Sequence, residues 1–261
     1  MGEAGWRIAS ARVAGTSHVM TGLPCQDAVS LTCEETGGAW FTAAIADGAG
    51  SAARSDRGSE QAARAVETFL SVQAANASPA SALGRAAVLA AYRDAAAEIE
   101  RLAAEEDQPV REYACTLLAA YVDAAGGVFA QVGDGAIVIR MDGETEWRPV
   151  FWPQHGRYAN ETNFIVGEGA LDAFEHAYVE GRVAAVAMFT DGLENLVLDR
   201  AARTAPAPFF EHVAAPVRRL PRPGWDKALS DKLAAYLSSK DVSARTDDDI
   251  TLVVASHGGP A

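Results

Sequence analysis

Residues Tyr113–Met141, YACTLLAAYVDAAGGVFAQVGDGAIVIRM, hold the stretch from which the fold is read. Three apolar runs, Tyr113–Val122, Val128–Val132 and Ala136–Met141, are separated by Gly126-Gly127 and by Gly133-Asp134-Gly135, and the last ends at Asp142-Gly143. Runs of this length broken by glycine turns predict strands, and connections this short join antiparallel neighbours, because a parallel crossover needs a dozen or more residues. The stretch therefore predicts an antiparallel meander.

Working outward, three strands are predicted ahead of it: Trp6–Ala14, Ala28–Cys33 and Trp40–Ala46. Between them and the meander the texture turns helical, with one helix from about Ser55 and a longer, alanine-rich one after Ser78-Pro79. Val66, Phe69, Leu70, Leu83, Leu89, Tyr92 and Ile99 supply its core stripe, and the two helices are expected to pair antiparallel. Beyond the meander, residues 147–169 are rich in turn formers and aromatics and read as a long excursion. Ala173–Glu180 and Val183–Thr190 are predicted strands, Pro206–Leu220 and Pro223–Ser239 predicted helices, and Ile250–Ser256 a closing buried strand. Blocks of strands and paired helices with hairpins point to an α+β fold of two sheets with helices outside, in one domain over residues 1–261.

The composition narrows the function. In 261 residues, 22 basic against 35 acidic side chains give a net charge of −13, which argues against nucleic acid or an anionic membrane as partner. The 49% hydrophobic content is ample for a buried core. Cys25, Cys33 and Cys115 are too few and too scattered for a disulfide framework, so a reducing, cytoplasmic setting is expected. The amino terminus lacks a signal-type apolar core, and Gly5-Trp6 does not suit a myristoylation start.

Five acidic residues stand in separate short frames: Asp27 in CQDAV, Asp47 in AIADGAGS, Asp134 in QVGDGA, Asp191 in MFTDGLEN and Asp248 in TDDDITLVV. Taken singly, each has an ordinary reading: an Asp-Gly after a strand is most often a turn, QD an Asx turn, and DDD a solvated charge cluster. Together they follow apolar runs where strands should end. Carboxylates brought from several strand ends to one place repel each other unless cations sit among them, so the set reads as a multi-metal site of oxygen donors. Cys25, with no histidine in a nearby frame, reads as a small packed cysteine rather than a nucleophile.

In this order, QDA, DGxGS, the ACTLLAAYV strand, VGDG, FTDGL and DDITLVV resemble the metal-dependent protein phosphatases of type 2C, in their bacterial branch, over residues 6–255. YANETNFI in the excursion is similar to the same branch. The resemblance implies a four-layer αββα sandwich, two mainly antiparallel sheets flanked by paired helices. It implies two or three Mn²⁺ or Mg²⁺ ions: Asp47 bridging two, Asp191 and Asp248 completing the first, the Gly48 carbonyl on the second, and Asp134 with Asp191 on a third. Asp27 and Asp249 would lie just outside the ligands, and Gln26 stands where relatives often carry Glu.

The implied activity is hydrolysis of phosphoserine and phosphothreonine in phosphoprotein substrates by a metal-activated water, by a monomer, with a cognate Ser/Thr kinase or its targets as the expected partners. The chain departs from the pattern at Gly22, where relatives place a phosphate-binding Arg, for which His18 or Arg12 could substitute. It also carries Gly135-Ala136 for the usual Ser-Arg, and Ala49 where some relatives have His. The missing Arg suggests one alternative, an inactive phosphatase-fold module that binds phosphoprotein or a partner. A different class is an acidic scaffold whose Asp-Gly junctions are plain turns. The excursion is expected to be a flap that shapes substrate choice.

Overall fold

The computed structural model describes residues 4–34, 38–154, 162–167 and 169–258. In chain order the elements begin β1 (Gly5–Val13), α1 (Thr16–Thr21), β2 (Ala28–Cys33), β3 (Phe41–Ala46), α2 (Ser55–Ala75) and α3 (Arg85–Glu105). They continue β4 (Leu117–Val122), β5 (Gly126–Val132), β6 (Ala136–Met141), β7 (Arg148–Pro149), β8 (Glu175–Glu180) and β9 (Val183–Phe189). The last are α4 (Asp191–Val197), α5 (Ala207–Arg218), β10 (Gly224–Trp225), α6 (Lys227–Leu237), α7 (Lys240–Ser243) and β11 (Ile250–Gly258).

The strands form two sheets, a six-stranded one in the order β10-β1-β11-β9-β6-β7 and a five-stranded one in the order β2-β3-β4-β5-β8. Every pairing is antiparallel except β1 with β10. Side-chain alternation sorts the residues into three buried layers. Phe41 and Ile45 of β3, Leu118 and Val122 of β4, Ile137 and Ile139 of β6, and Val253 of β11 meet between the sheets. Ala44 and Ala46 turn the other way, onto Val66 and Leu70 of α2 and Tyr92 and Ile99 of α3. On the far side Ala9, Ala11, Ala185 and Ala187 face Phe210 and Val213 of α5 and Leu233 of α6. Small residues on the helix-facing side let helices lie close to each sheet, while large ones fill the space between sheets, and the result is the expected four-layer αββα sandwich. The α2–α3 pair is antiparallel, as expected: Gln61 bonds Glu98, and Arg57 near the start of α2 pairs with Glu106 just past the end of α3.

The opening stretch is corrected in one respect. Strands β4 and β5 are hairpin partners, but β6 does not continue their sheet; it pairs with β9 and β7 in the other one. The meander breaks at Gly133-Asp134-Gly135. Gly133 has a φ of 116°, and a Cβ on Gly135 would lie 2.7 Å from the Phe189 carbonyl, so the chain crosses between sheets where side chains do not fit.

Smaller corrections follow from local chemistry. The β4–β5 reversal is made by Asp123, whose Oδ1 accepts from the backbone N–H groups of Ala125 and Gly126, so Gly126-Gly127 belong to the strand. Tyr113 lies in a single 3₁₀ turn (Val110–Tyr113) rather than in β4. Gly224-Trp225 pair with β1 instead of opening α6, which begins after the Asp226 cap. The short helices α1, α4 and α7 were not expected from periodicity, being too short to show one.

Within the excursion, Trp147 stacks on Phe210 at 5.3 Å and the Ile165 N–H donates to the Cys115 carbonyl at 3.0 Å, so the segment is anchored on both sides. Residues 155–161, with Tyr158–Glu161 of YANETNFI, and residue 168 lie outside the described residues. Among the described residues no helix is long and apolar enough to cross a membrane.

Candidate metal centre

The sandwich delivers acidic residues from both sheets to one edge. Asp47 follows β3, and its backbone is clamped by Thr116: the Asp47 N–H donates to Thr116 Oγ1 at 3.0 Å and the Thr116 N–H to the Asp47 carbonyl at 2.8 Å. Asp134 sits on the crossover between sheets, Asp191 is the first residue of α4, and Asp248 stands just before β11. Carboxylate oxygens of Asp47, Asp134 and Asp191 lie within 4.8 Å of one another. All three line a cavity of about 350 Å³ with Gly48 and Asp248. Asp248 is at its solvent side, outside the tight group of three.

The glycines of the frames have steric reasons of their own. A Cβ on Gly48 would sit 2.7 Å from the Gln26 carbonyl and 2.8 Å from Ser55 Cβ, so glycine lets this loop nest between Gln26 and the start of α2. A Cβ on Gly192 would fall 2.1 Å from the Asp249 carbonyl, so only glycine lets α4 start against the entry to β11. Asp191-Gly192 thus opens a helix rather than a hairpin, and the close approach brings Asp191 to Asp248.

Four carboxyl groups in one pocket are electrostatically expensive. Burial above all, then Asp27 and Asp191, push the Asp47 carboxyl well above the usual range, and Asp47 and Asp191 are close enough to hydrogen-bond through a proton. Burial, then Asp134, raises Asp191; burial lifts Asp134 to about 6, and burial with Asp191 lifts Asp248 to about 6. The buried Oδ1 of Asp191 has no hydrogen-bond donor among the described residues. An all-oxygen, mutually repelling donor set with an orphaned lone pair fits hard divalent cations, which take such donors and remove the repulsion.

Behind this group stand two further carboxylates. Asp27 is fully buried and accepts from Thr190 Oγ1 at 2.8 Å, while Thr190 Oγ1 accepts from the Thr251 N–H at 2.9 Å. Asp249 is a junction: it accepts from the backbone N–H groups of Gly15, at 2.7 Å, and Gln26, and its Oδ1 is 2.9 Å from His18 Nδ1. It thereby fastens the start of α1 and the segment carrying Asp27 to β11. Replacing Asp249 by alanine strands those donors, and unfolding in urea should show a loss of about 3 kcal/mol, as expected when a buried charge-assisted cluster loses its acceptor.

The two residues considered for substrate phosphate do not line the acidic cavity. His18 is held against Asp249, and Arg12 donates to the Asp27 carbonyl at 2.9 Å and faces Glu60 in a neighbouring groove. Cys25 fits its structural reading: burial, then Asp27 and Asp249, push its thiol up to about 12, far from a reactive thiolate. Thr116 and Thr190 have no role in the sequence reading, and Asp249, expected just outside the ligands, proves to be a junction holding Gly15, Gln26 and His18. Thr190 precedes Asp191 in the quoted frame, but which strand ends face each other is set only by the fold.

The family described as Protein phosphatase 2C matches residues 14–238, a span that includes Asp27, Asp47, Asp134 and Asp191. Serine/threonine-protein phosphatase 3 of Escherichia coli (strain K12) is 33% identical over 259 residues, covering 96% of this chain and 98% of that protein. Among solved structures, a bacterial serine phosphatase aligns over the full length of both chains with a TM-score of 0.60 at 13% identity. The serine/threonine phosphatase of S. agalactiae aligns over 96% of this chain and 99% of its own with a TM-score of 0.59 at 15% identity. At these identities the two structures speak to the fold.

Proposed function

Since the chain belongs to the protein phosphatase 2C family, we propose that it hydrolyses phosphoserine and phosphothreonine monoesters in protein substrates with Mn²⁺ or Mg²⁺ as cofactor. The observation that carries this reading is the convergence of Asp47, Asp134 and Asp191 from three separate frames onto one cavity. Asp47, Asp191, Asp248 and the Gly48 carbonyl would hold two ions, and Asp134 with Asp191 a third. When bound, such ions supply Lewis-acid activation of water and positive charge toward the phosphoryl oxygens.

The chain's own residues do the rest. Thr116 and Gly48 fix the Asp47 backbone, and the Thr190 hydroxyl holds Asp27 as an acceptor for a water proton. Asp249 is a positioning residue: its carboxylate grips the backbone N–H of Gln26, next to Asp27, while its own backbone N–H donates to Asp248. Among the described residues the cavity is lined by carboxylate and hydroxyl oxygens with no cationic side chain, which suits a site neutralised by metal rather than by arginine. We assign residues 147–169 to substrate choice, because Thr162 and Phe164 of this segment line the cavity. A cytoplasmic monomer acting on targets of a Ser/Thr kinase completes the reading.

Release of inorganic phosphate from a phosphothreonine peptide tests it. Activity should require added Mn²⁺ or Mg²⁺ and vanish on chelation; equal turnover in excess chelator would overturn the assignment.

A further inference from the structure

We propose that the open edge of β2 and the arginine-lined groove beside it dock an extended, acidic segment of the phosphoprotein substrate; this rests on the phosphatase reading above. Strand β2 is the outermost strand of the five-stranded sheet. Its sequence, Ala28–Cys33 AVSLTC, carries none of the lysines, prolines or charges that usually guard an exposed edge. The outward-facing backbone of an edge strand is a template for another extended chain.

Two cavities flank this edge and share Val29 and Ser30. The first, about 810 Å³, lies between Leu31-Thr32 and the Gly224-Trp225 edge of the other sheet, where the Trp225 side chain is 46% exposed. The second, about 670 Å³, is bounded by Arg12 of β1 and by Arg57, Glu60 and Arg64 of α2. Positions 57, 60, 61 and 64 share one helix face, so α2 presents this row along the groove. Arg12 faces Glu60 and Arg57 is matched by Glu106, which leaves Arg64, bonded to the neutral Gln61, as the groove's uncompensated positive charge among the described residues, in a chain of net charge −13.

The arginines are oriented rather than loose. Arg57 pairs with Glu106, Arg12 lies 3.5 Å from Glu60, and Arg64 donates to Gln61 at 2.7 Å. One end of the groove lies beside the segment that carries Asp27, since Arg12 donates to the Asp27 carbonyl and Ala28 lines that end. A strand added along β2 would run about 20 Å for its six residues, enough for a substrate segment flanking the phosphorylated residue. Pairing supplies backbone hydrogen bonds, the arginines select acidic side chains, and Trp225 offers an apolar anchor at the far end.

A fluorescent acidic decapeptide without phosphate, followed by anisotropy, is the probe. It should bind the wild-type protein, and Arg64→Glu, which alters only an exposed side chain, should weaken binding about tenfold, the scale of a close charge reversal at an interface. Methylating alternate backbone nitrogens of the peptide should abolish binding without changing its charge. In turnover, Arg64→Glu should raise KM for a phosphopeptide with acidic flanks, leave kcat, and leave hydrolysis of a small aryl phosphate unchanged.

Unchanged binding in Arg64→Glu, or full binding by the N-methylated peptide, overturns the docking site. So does a concentration-dependent dimer that dissociates in Arg64→Glu while no peptide binds, since the edge then serves self-pairing. Loss of hydrolysis on every substrate would count against the phosphatase reading instead, and the anisotropy result would stand apart from it.

Discussion

Replacing Asp191 by alanine is expected to lower kcat on a phosphothreonine peptide by about a thousandfold or more, equivalent to about 4 kcal/mol of lost transition-state stabilisation. Asp191 is the residue on which the centre depends most: its oxygens lie with those of Asp47 and Asp134, it faces Asp248, and its Oδ1 has no donor among the described residues. In the assignment above it serves two ions at once, so no neighbour takes over when it is lost. The fold should survive. Asp191 contributes repulsion rather than cohesion in the metal-free protein, so in chelator the variant should melt at the same temperature as wild type or higher. That pairing of outcomes separates a functional ligand from a structural residue: a variant that loses activity only because it unfolds would melt lower. Asp134→Ala should cost far less turnover, because only the third ion depends on it. Near-full activity of Asp191→Ala would remove the metal-centre assignment.

Most of this arrangement was legible in the sequence because strands ending in Asp-Gly announce themselves locally. The strands from Phe41, Leu117, Val183 and Ile250 are anticipated as largely apolar runs and the one from Ala28 by its alternation, and α2 and α3 show helical spacing over 21 residues each. What was not legible depends on contacts distant in sequence. The transfer of β6 to the other sheet turns on Gly135 meeting the Phe189 carbonyl, more than fifty residues away, and no pattern within QVGDGA reports that. Asp249, expected just outside the ligands, is buried where Asp247 and Asp248 are exposed, because its carboxylate accepts from the backbone N–H groups of Gly15 and Gln26 and meets His18, contacts that no pattern within the triplet reports. Arg12 and His18 were the only cations near the missing Arg in sequence, and the fold places both behind the cavity wall. An alternation of residues along β1 puts Arg12 on the groove side, which is a consequence of sheet packing and not of distance from Gln26.

Metal binding and pH should act on stability in opposite senses. The folded-state carboxyls of Asp134 and Asp248 are lifted to about 6, and Asp47 and Asp191 are raised as well, against an ordinary value of 3.8. A carboxyl whose pKa is raised on folding binds its proton more tightly in the native state. Native protein therefore carries more protons than unfolded protein between the two values, and stability falls as pH rises through that window. With the buried Asp27 carboxyl lifted to about 8 as well, metal-free protein should accordingly be most stable in mild acid and should lose melting temperature steadily from about pH 4 to about pH 8, flattening above the highest of the raised values. Cations compete with those protons for the same oxygens, so their effect grows as the protons leave. At pH 8, Mn²⁺ at about a hundred times its dissociation constant would add about 2.7 kcal/mol, or roughly 5–10 °C for a domain of this size. At pH 5 the same Mn²⁺ concentration should give a much smaller shift, because each ion must first displace protons from Asp47 and its neighbours. Calorimetry in chelator and in Mn²⁺ at both pH values measures all four states. Equal shifts at the two pH values would mean that the ions bind somewhere other than the carboxylates of Asp47, Asp134, Asp191 and Asp248. A shift that is larger at pH 8 and reduced in Asp191→Ala would tie it to this cavity, since that variant removes the donor shared by the proposed sites while leaving the surface acids untouched.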